Sequence, residues 1–534
     1  MSIEFRELIK KEGFLFTFEL VPGRSVRTRE YQEILRFLQE SVKERVFQVF
    51  SITDNAGGHP ALSPIPLGKT IKDLGLEAII HFSCKDKNRN QIESELLALD
   101  REGLHNLLVL TGDYPFYGYM GKAKPVFDLD SVLLLKLITD MERGIELPKE
   151  APGGGKALPG IPFFKGAVVN PFKLTYEELF WQYFKLYLKL KAGAYFIISQ
   201  VGFYPKTWRE LKIVLDKGLT QILSELLEEP IDWLETMPEK EKSFKDIPLL
   251  GSILYLTPSL INLVKKGKIP GILITESILR ALEKSSNFEK KNLEILAKFA
   301  SLLKALGYKG VHLCGFPLNY GKINQFLELF YKYENQGENF AEEFENKVLL
   351  ELNNGQIKGA FPSFLTKEHI FKKRFSLAYY INHAIHSLFF NTSSKFYPLL
   401  KKILLRIDQS PFFRKYFTRF EYFIKKILFS CQECGDCTLF EYNYHCPQSG
   451  CAKYLLNGPC GGSIAGFCEV YPYIKECHFV KALKSPSTKK NIIKFFYLFR
   501  RGYLSPRDWE LYKSSSWLNF YLKRDHHKYE DGDS

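Results

Sequence analysis

The chain has 534 residues, more than one ordinary domain of roughly 100 to 200 residues holds, so two or three domains are expected. Apolar residues make up 45% and charged residues 25%, which excludes a disordered, collagenous or coiled-coil protein. The formal net charge of +14 is uneven, because 23 Lys and Arg stand against 13 Asp and Glu from residue 395 onward. No apolar run reaches the roughly 18 residues of a membrane span. The opening Met-Ser-Ile-Glu-Phe-Arg-Glu carries acids where a signal peptide has basic and then apolar residues, so a cytoplasmic protein is expected.

Short apolar runs rich in β-branched and aromatic residues recur along the first 320 residues. In chain order they are Phe14 to Pro22, Arg45 to Asp54, Glu77 to Cys84, Asn106 to Asp113, Phe164 to Pro171, Tyr195 to Gly202, Ile247 to Leu256 and Gly310 to Phe316. Helical apolar spacing fills segments between them, as at Arg29 to Glu40, Gln91 to Glu102, Leu129 to Met141, Tyr176 to Lys191 and Lys291 to Leu306. Eight strand-then-helix units predict a (β/α)8 barrel, an α/β fold in which parallel strands are joined by crossover helices. A doubly wound open sheet is the alternative. The barrel spans residues 1–335, and the polar, acidic segment Asn335 to Asn354 reads as its exit. Residues 336–394 form a linker and helical bridge, with helical patterning running from about 365 to 430, and residues 395–534 form a small basic cysteine-rich domain.

Active sites of such barrels lie at the C-terminal ends of the strands. Polar residues gather there: Phe18-Glu19, Thr53-Asp54, His81-Phe-Ser83-Cys84, Thr111-Gly-Asp113, Asn170-Pro171, Ser199-Gln200 and Cys314-Gly315. Their convergence predicts a ligand pocket. The segment Glu150 to Pro162, with Gly153-Gly-Gly155 and three prolines, reads as a loop beside that mouth and a candidate lid. Cys84 and Cys314 read as small buried apolar side chains.

The other eight of the ten cysteines fall between Cys431 and Cys477. In a reducing compartment a cluster that dense points to metal rather than disulfides. Cys431, Cys434 and Cys437 stand at x2 spacing and are followed by Cys446-Pro447, then Cys451, Cys460, Cys468 and Cys477. A tight loop aiming three thiolates at one face, closed by a remote fourth, is iron–sulfur spacing, although the gap before Cys446 is longer than the usual one. Eight thiolates serve two 4Fe-4S clusters, one cluster with a zinc, or two zincs.

Glu19-Leu-Val-Pro22, His81-Phe-Ser-Cys84, Thr111-Gly-Asp113-Tyr-Pro115 and Ala192-Gly-Ala194 leading to Ser199-Gln200 form an ordered set, with Val168-Val-Asn170-Pro171 and Gly307-Tyr-Lys-Gly-Val-His312 beside it. In order and spacing, over roughly residues 12–320, this set resembles the methylenetetrahydrofolate reductase family of flavin-binding barrels. The resemblance implies reduction of 5,10-methylenetetrahydrofolate to 5-methyltetrahydrofolate by hydride transfer from reduced flavin. It implies Glu19 as the general acid, and Asp113 as a catalytic and cofactor-side carboxylate that also binds the pterin. Gln200 and Asn170 would contact folate, and Thr53, His81, Ser83 and Ala194 the flavin. Many members carry Arg before Gly-Asp where this chain has Thr111, which leaves FAD and FMN both open.

The stretch Cys431 to Cys477, with Asn457-Gly-Pro-Cys460-Gly-Gly462 and Gly466-Phe-Cys-Glu-Val470, is similar to the C-terminal domain associated with these reductases in anaerobic, acetogen-type enzymes. That likeness implies iron–sulfur and zinc binding and electron delivery to the flavin, with ferredoxin or another acidic donor docking on the basic tail. No recognition motif accompanies the basic charge, so no nucleic-acid partner is expected. A homo-oligomer or a larger complex is expected. Two readings compete with this one: an NAD(P)H-dependent reductase with a structural zinc tail, and a scaffold that recruits an electron-transfer or methyltransferase complex.

Overall fold

The computed structural model describes residues 4–146, 149, 154–228, 243–345, 347–352, 355–368, 375–499 and 502–529. Glu150 to Gly153 of the expected lid, and positions 346, 353 and 354 of the expected exit, lie outside the described residues. Two compact units emerge, one of Met1–Thr366 with Cys460–Ala465, the other of Lys367–Pro459 with Gly466–Ser534.

In the first unit eight parallel strands close a barrel in sequence order. They are β1 (Leu15–Leu20), β2 (Val49–Ile52), β3 (Glu77–Ser83), β4 (Asn106–Leu110), β5 (Phe164–Val169), β6 (Phe196–Ser199), β7 (Leu249–Leu254) and β8 (Gly310–Cys314). Every expected run contains one strand, and the fold is the (β/α)8 barrel rather than an open sheet, since β8 pairs with β1 through Leu15 to Gly310 and Phe18 to Leu313. Strands β2, β3, β7 and β8 are buried along their whole length, as strands covered on both faces must be.

Local chemistry starts the crossover helices where the strands end. Thr28, Asn88, Asp130 and Thr175 each accept a first-turn backbone N–H, opening the helices Arg29–Glu44, Arg89–Arg101, Ser131–Arg143 and Tyr176–Lys191. Such caps satisfy donors that the helix itself leaves unpaired.

The barrel bottom is closed by a short helix the sequence pattern does not announce, Phe5–Leu8. Phe5 is fully buried among Val49, Ile79, Leu108, Phe164 and Phe196. Its ring meets Phe164 and Phe196 edge-on at 5.6 and 5.2 Å, and its N–H donates to Glu77 Oε2 at 3.2 Å.

Beyond β8 the chain stays with the barrel. The polar segment read as its exit carries an antiparallel hairpin, β9 (Lys347–Leu352) and β10 (Gly355–Ala360). The residues after it are fastened down by Glu210, which accepts from the Ser363 hydroxyl at 2.7 Å and the Phe364 N–H at 2.8 Å. Phe364 stacks on Tyr176 at 5.6 Å, so the helix Tyr176–Lys191 is covered on its outer side too. That cover explains why 15 of its 16 residues are buried.

The second unit opens with the helices Leu377–Phe389, Tyr397–Gln409 and Pro411–Phe429, within the stretch expected to be helical. Its buried centre includes Leu404, Leu518 and Tyr521. Glu421, fully buried, accepts from Lys425 Nζ at 2.7 Å and from the hydroxyls of Ser515 and Ser516, which ties the third helix to the C-terminal segment. Among the described residues no helix is long and apolar enough to cross a membrane.

Replacing Phe5 with Ala removes the aromatic plug from a site that backbone strands prevent from collapsing. A loss of about 3–5 kcal/mol of barrel stability is expected, read as a lowered midpoint in chemical denaturation of the full chain.

Candidate active site at the barrel mouth

Strand alternation decides what enters the barrel. Leu15, Val49, Ile79, Leu108, Ile198 and Leu250 pack in its interior, so residues two and four positions further along each strand point the same way, toward the mouth. This parity brings Thr17 and Glu19, Ser51, His81, Ser252, and His312 and Cys314 to successive inner layers.

The first polar layer is internally satisfied. Thr17 Oγ1 donates to the Val311 carbonyl and lies 2.7 Å from His312 Nδ1, so that nitrogen carries the proton. His312 Nε2 then accepts from the Ser51 hydroxyl at 3.2 Å. Burial, with His81 nearby, pushes the His312 pKa down to about 3.

Above it sits Glu19, with a carboxylate oxygen, a His81 nitrogen and a His312 nitrogen all within 4.8 Å of one another. Burial pushes the Glu19 pKa up to about 7, only partly offset by the Cys314 thiol, which donates to its carboxyl. Cys314 is buried as expected, and it is also a site neighbour of the acid. Burial lowers the His81 pKa to about 4 despite the Asp54 carboxylate, and His81 Nε2 is buried without a hydrogen-bond partner. At neutral pH the site therefore holds a carboxyl poised to give a proton and two neutral imidazoles.

Around the rim the expected residues are braced by one another. Ser83 donates through both N–H and hydroxyl to Asp54 Oδ2, at 3.2 and 2.7 Å, and Lys87 Nζ reaches the same oxygen at 3.1 Å. Thr53 is buried, its N–H donating to the Leu20 carbonyl at 3.1 Å. Asp113, in the loop after β4, accepts from the Gly57 N–H at 2.7 Å and so links the β4 and β2 loops. Those loops approach so closely that a Cβ on Gly58 would meet the Tyr114 carbonyl oxygen at 2.2 Å, at a backbone φ of +74°. Only glycine fits there. Thr111 donates its hydroxyl to Ser131 Oγ at 3.3 Å.

Asn170 and Gln200 stand at the ends of β5 and β6. Gln200 Oε1 accepts from the Val201 N–H at 2.8 Å. Asn170 Oδ1 accepts from the Phe172 N–H, while its Nδ2 donates to the Gly271 and Gly461 carbonyls at 3.0 and 2.7 Å. Lys173 Nζ also donates to the Gly461 carbonyl, at 2.6 Å. Ala194 is not brought to this mouth. It precedes β6, with its N–H on the Lys189 carbonyl at 3.2 Å, and so lies at the opposite end of the strand from Ser199 and Gln200.

Lys189, which sequence patterning does not single out, is buried on the helix Tyr176–Lys191 and donates to the Val168 carbonyl at 2.6 Å. Burial and the neighbouring Lys185 pull its pKa down to about 7, against the attraction of Asp130. The available signal was two lysines four residues apart in the apolar, aromatic-rich second half of that helix. His312 was likewise legible only as the polar member of an alternating strand.

The eight clustered cysteines do not share one environment. Cys431, Cys434, Cys437 and Cys446 line one cavity, together with Tyr422, Lys425 and Arg507. Arg507 donates to Cys434 Sγ at 3.1 Å and the Glu433 N–H to Cys431 Sγ at 3.4 Å. Burial raises the Cys437 pKa to about 12, with Lys425 opposing. The Cys451 thiol is raised by burial, with Cys468 among its charged neighbours. Cys477 is buried, its N–H on the Gly466 carbonyl at 2.8 Å. Cys460 belongs to the barrel unit, where its carbonyl accepts from Gln182 Nε2 at 3.2 Å.

Residues 4–228 match the family model "Methylenetetrahydrofolate reductase", and residues 411–497 match "Methylene-tetrahydrofolate reductase C terminal". No curated protein matches the chain. One similar solved structure is an uncharacterized protein from Clostridium thermocellum that binds two copies of 5-methyl-5,6,7,8-tetrahydrofolic acid. It shares 13% identity with a TM-score of 0.38, over 62% of this chain and 98% of that one. The chain thus carries a domain of the methylenetetrahydrofolate reductase family, residues 4–228, together with that family's C-terminal domain, residues 411–497.

Proposed function

We propose that the barrel reduces 5,10-methylenetetrahydrofolate to 5-methyltetrahydrofolate, using a flavin held at its mouth. The carrying observation is Glu19: a buried carboxyl with a pKa near 7 at the strand ends of a barrel of this family. The one-carbon unit of the substrate bridges N5 and N10, and the ring must open to an iminium before the carbon can accept hydride. Opening needs a proton on N10. A carboxyl protonated near neutrality supplies it, and the neutral imidazoles of His81 and His312 add no positive charge to compete with the iminium.

The residues present fit a flavin. His81 offers a buried nitrogen with no protein partner, and Thr53, Ser83 and Asp113 surround the same mouth. Reduced flavin supplies the hydride when bound. Gln200 and Asn170 remain the residues proposed to face folate, and the backbone bonds that hold their amides fix the direction each presents.

Electrons are proposed to enter through the cysteine-rich unit from ferredoxin or another acidic donor. The four thiols of Cys431, Cys434, Cys437 and Cys446 suit a 4Fe-4S cluster or a zinc, and Lys425 and Arg507 on the same cavity offset the negative charge of a thiolate-bound metal.

Glu19→Gln keeps the shape and removes the proton. Folate reduction should fall about a hundredfold or more while artificial reduction of bound flavin persists. In the parent the folate half-reaction should slow as pH rises through about 7, where Glu19 loses its proton, and in the variant that limb should vanish. An unchanged rate and pH profile would remove Glu19 from the chemistry. Cys434→Ser should lose cysteine-bound metal, because a hard hydroxyl poorly replaces a soft thiolate, and with it reduction by ferredoxin. Direct dye reduction of the flavin should survive. Intact ferredoxin-driven turnover in that variant would show that these cysteines carry no current.

A further inference from the structure

A second constellation of metal-binding donors lies in the C-terminal unit and contains no sulfur. Glu441, His526 and His527 present ligand atoms within 4.8 Å of one another. Glu441 Oε1 is 3.4 Å from His526 Nε2 and 3.7 Å from His527 Nε2. The first is a long hydrogen bond and the second lies beyond hydrogen-bond reach. They approach the edge of a tetrahedron around zinc, roughly 3.3–3.5 Å for metal–ligand bonds of about 2.0–2.2 Å.

The far side of the His526 imidazole is held by a carboxylate, with Nδ1 2.5 Å from Asp436 Oδ1. Asp525 Oδ1 instead accepts the His527 backbone N–H at 3.2 Å, and His527 Nδ1 is buried without a hydrogen-bond partner. For His526, a carboxylate behind the imidazole with Nε2 turned to Glu441 is the arrangement that orients a histidine toward a metal. All three carboxylate residues are at least 97% buried, and Glu441 Oε2 has no hydrogen-bond partner. A buried carboxylate oxygen left unsatisfied is costly unless something absent from the chain itself completes it.

Glu441, Asp525 and His527 also line a cavity of about 530 Å³ whose other walls are largely apolar, including Ile385, Phe390 and Trp517. Three protein ligands beside a roomy cavity leave a coordination position open to it.

We propose that Glu441 Oε1, His526 Nε2 and His527 Nε2 form a three-ligand site for a borderline divalent transition cation, zinc or a chemical equivalent, with Asp436 as the positioning residue. The donor set, two imidazoles and a carboxylate, favours such a cation over magnesium or calcium, which take oxygen, and over clusters, which take thiolates. The open fourth position faces the apolar cavity. The two cavities share Lys425 and Cys437, and Asp436 lines the four-cysteine one, but none of the three proposed ligands lines that cavity, and the site does not depend on the proposed folate chemistry.

Co²⁺ added to the full-length protein, with its cysteine-bound metal in place, tests this. One equivalent should bind with ligand-field absorbance lacking sulfur-to-cobalt charge transfer, and Zn²⁺ should displace it. Glu441→Gln and His527→Gln should each lose that equivalent while iron content stays unchanged. Asp436→Asn leaves all three ligands and should weaken Co²⁺ binding about 10- to 100-fold, which keeps the test informative if a ligand variant fails to fold. The proposal is overturned if no equivalent binds, if the bound cobalt shows thiolate charge transfer, or if Asp436→Asn and Glu441→Gln bind Co²⁺ as the parent does.

Discussion

Closure of the eight-stranded sheet is the constraint on which the site depends. Once β8 pairs with β1, alternate side chains of every strand point into a space from which water is largely excluded. A polar side chain there costs several kcal/mol unless another inward residue meets it, on the scale of roughly 2–7 kcal/mol for an unsatisfied group. Thr17, Ser51 and His312 answer that demand with mutual hydrogen bonds, forming a polar floor above the apolar layer around Phe5. Glu19 stands on this floor with a thiol for company, so its carboxyl is driven toward the protonated form.

The same desolvation acts in opposite directions on acids and bases, and here both outcomes are neutral groups. Burial moves Glu19 toward its protonated form and His81 and His312 toward their neutral forms, which limits the charge among three titratable side chains crowded together. At the rim the balance changes. Asp54 keeps Lys87 and the Ser83 donors on one oxygen, and the Lys87 pKa is raised by its two acidic partners against the cost of its burial. A neutral proton donor inside a charged, braced rim suits a reaction that creates a cationic intermediate and then discharges it.

The cysteine-rich unit separates its donors by chemical softness within a short stretch of chain. Cys434 and Cys437 turn toward the thiol cavity, while Asp436 between them turns to His526. Gly435 makes that divergence sterically feasible: a Cβ there would meet the Leu511 carbonyl oxygen at 1.9 Å, at a φ of +74°. Thiols and the imidazole–carboxylate group thus diverge from one short loop.

The sequence by itself determined eight strand-then-helix units, because largely apolar strand runs alternating with amphipathic helices call for parallel strands joined by crossovers, and all eight strands lie inside the expected runs, whereas closure over an open sheet was decided by the pairing of β8 with β1. The polar strand ends legible in the sequence include Glu19 and His81, and the alternation of side chains along the folded strands brings these two together with His312. The sequence could not show that Phe5 plugs the barrel, that Ala194 lies at the other end of it, or that the segment Cys460–Ala465 belongs to the barrel unit. Those facts depend on contacts across long separations, which local periodicity does not encode. Only the tertiary structure decided the protonation of Glu19, because a pKa is set by the water that neighbours exclude. The same holds for Glu441 and the two histidines 85 and 86 positions away: ordinary in sequence, they become a donor set only when the C-terminal segment folds back beside the cysteine loop.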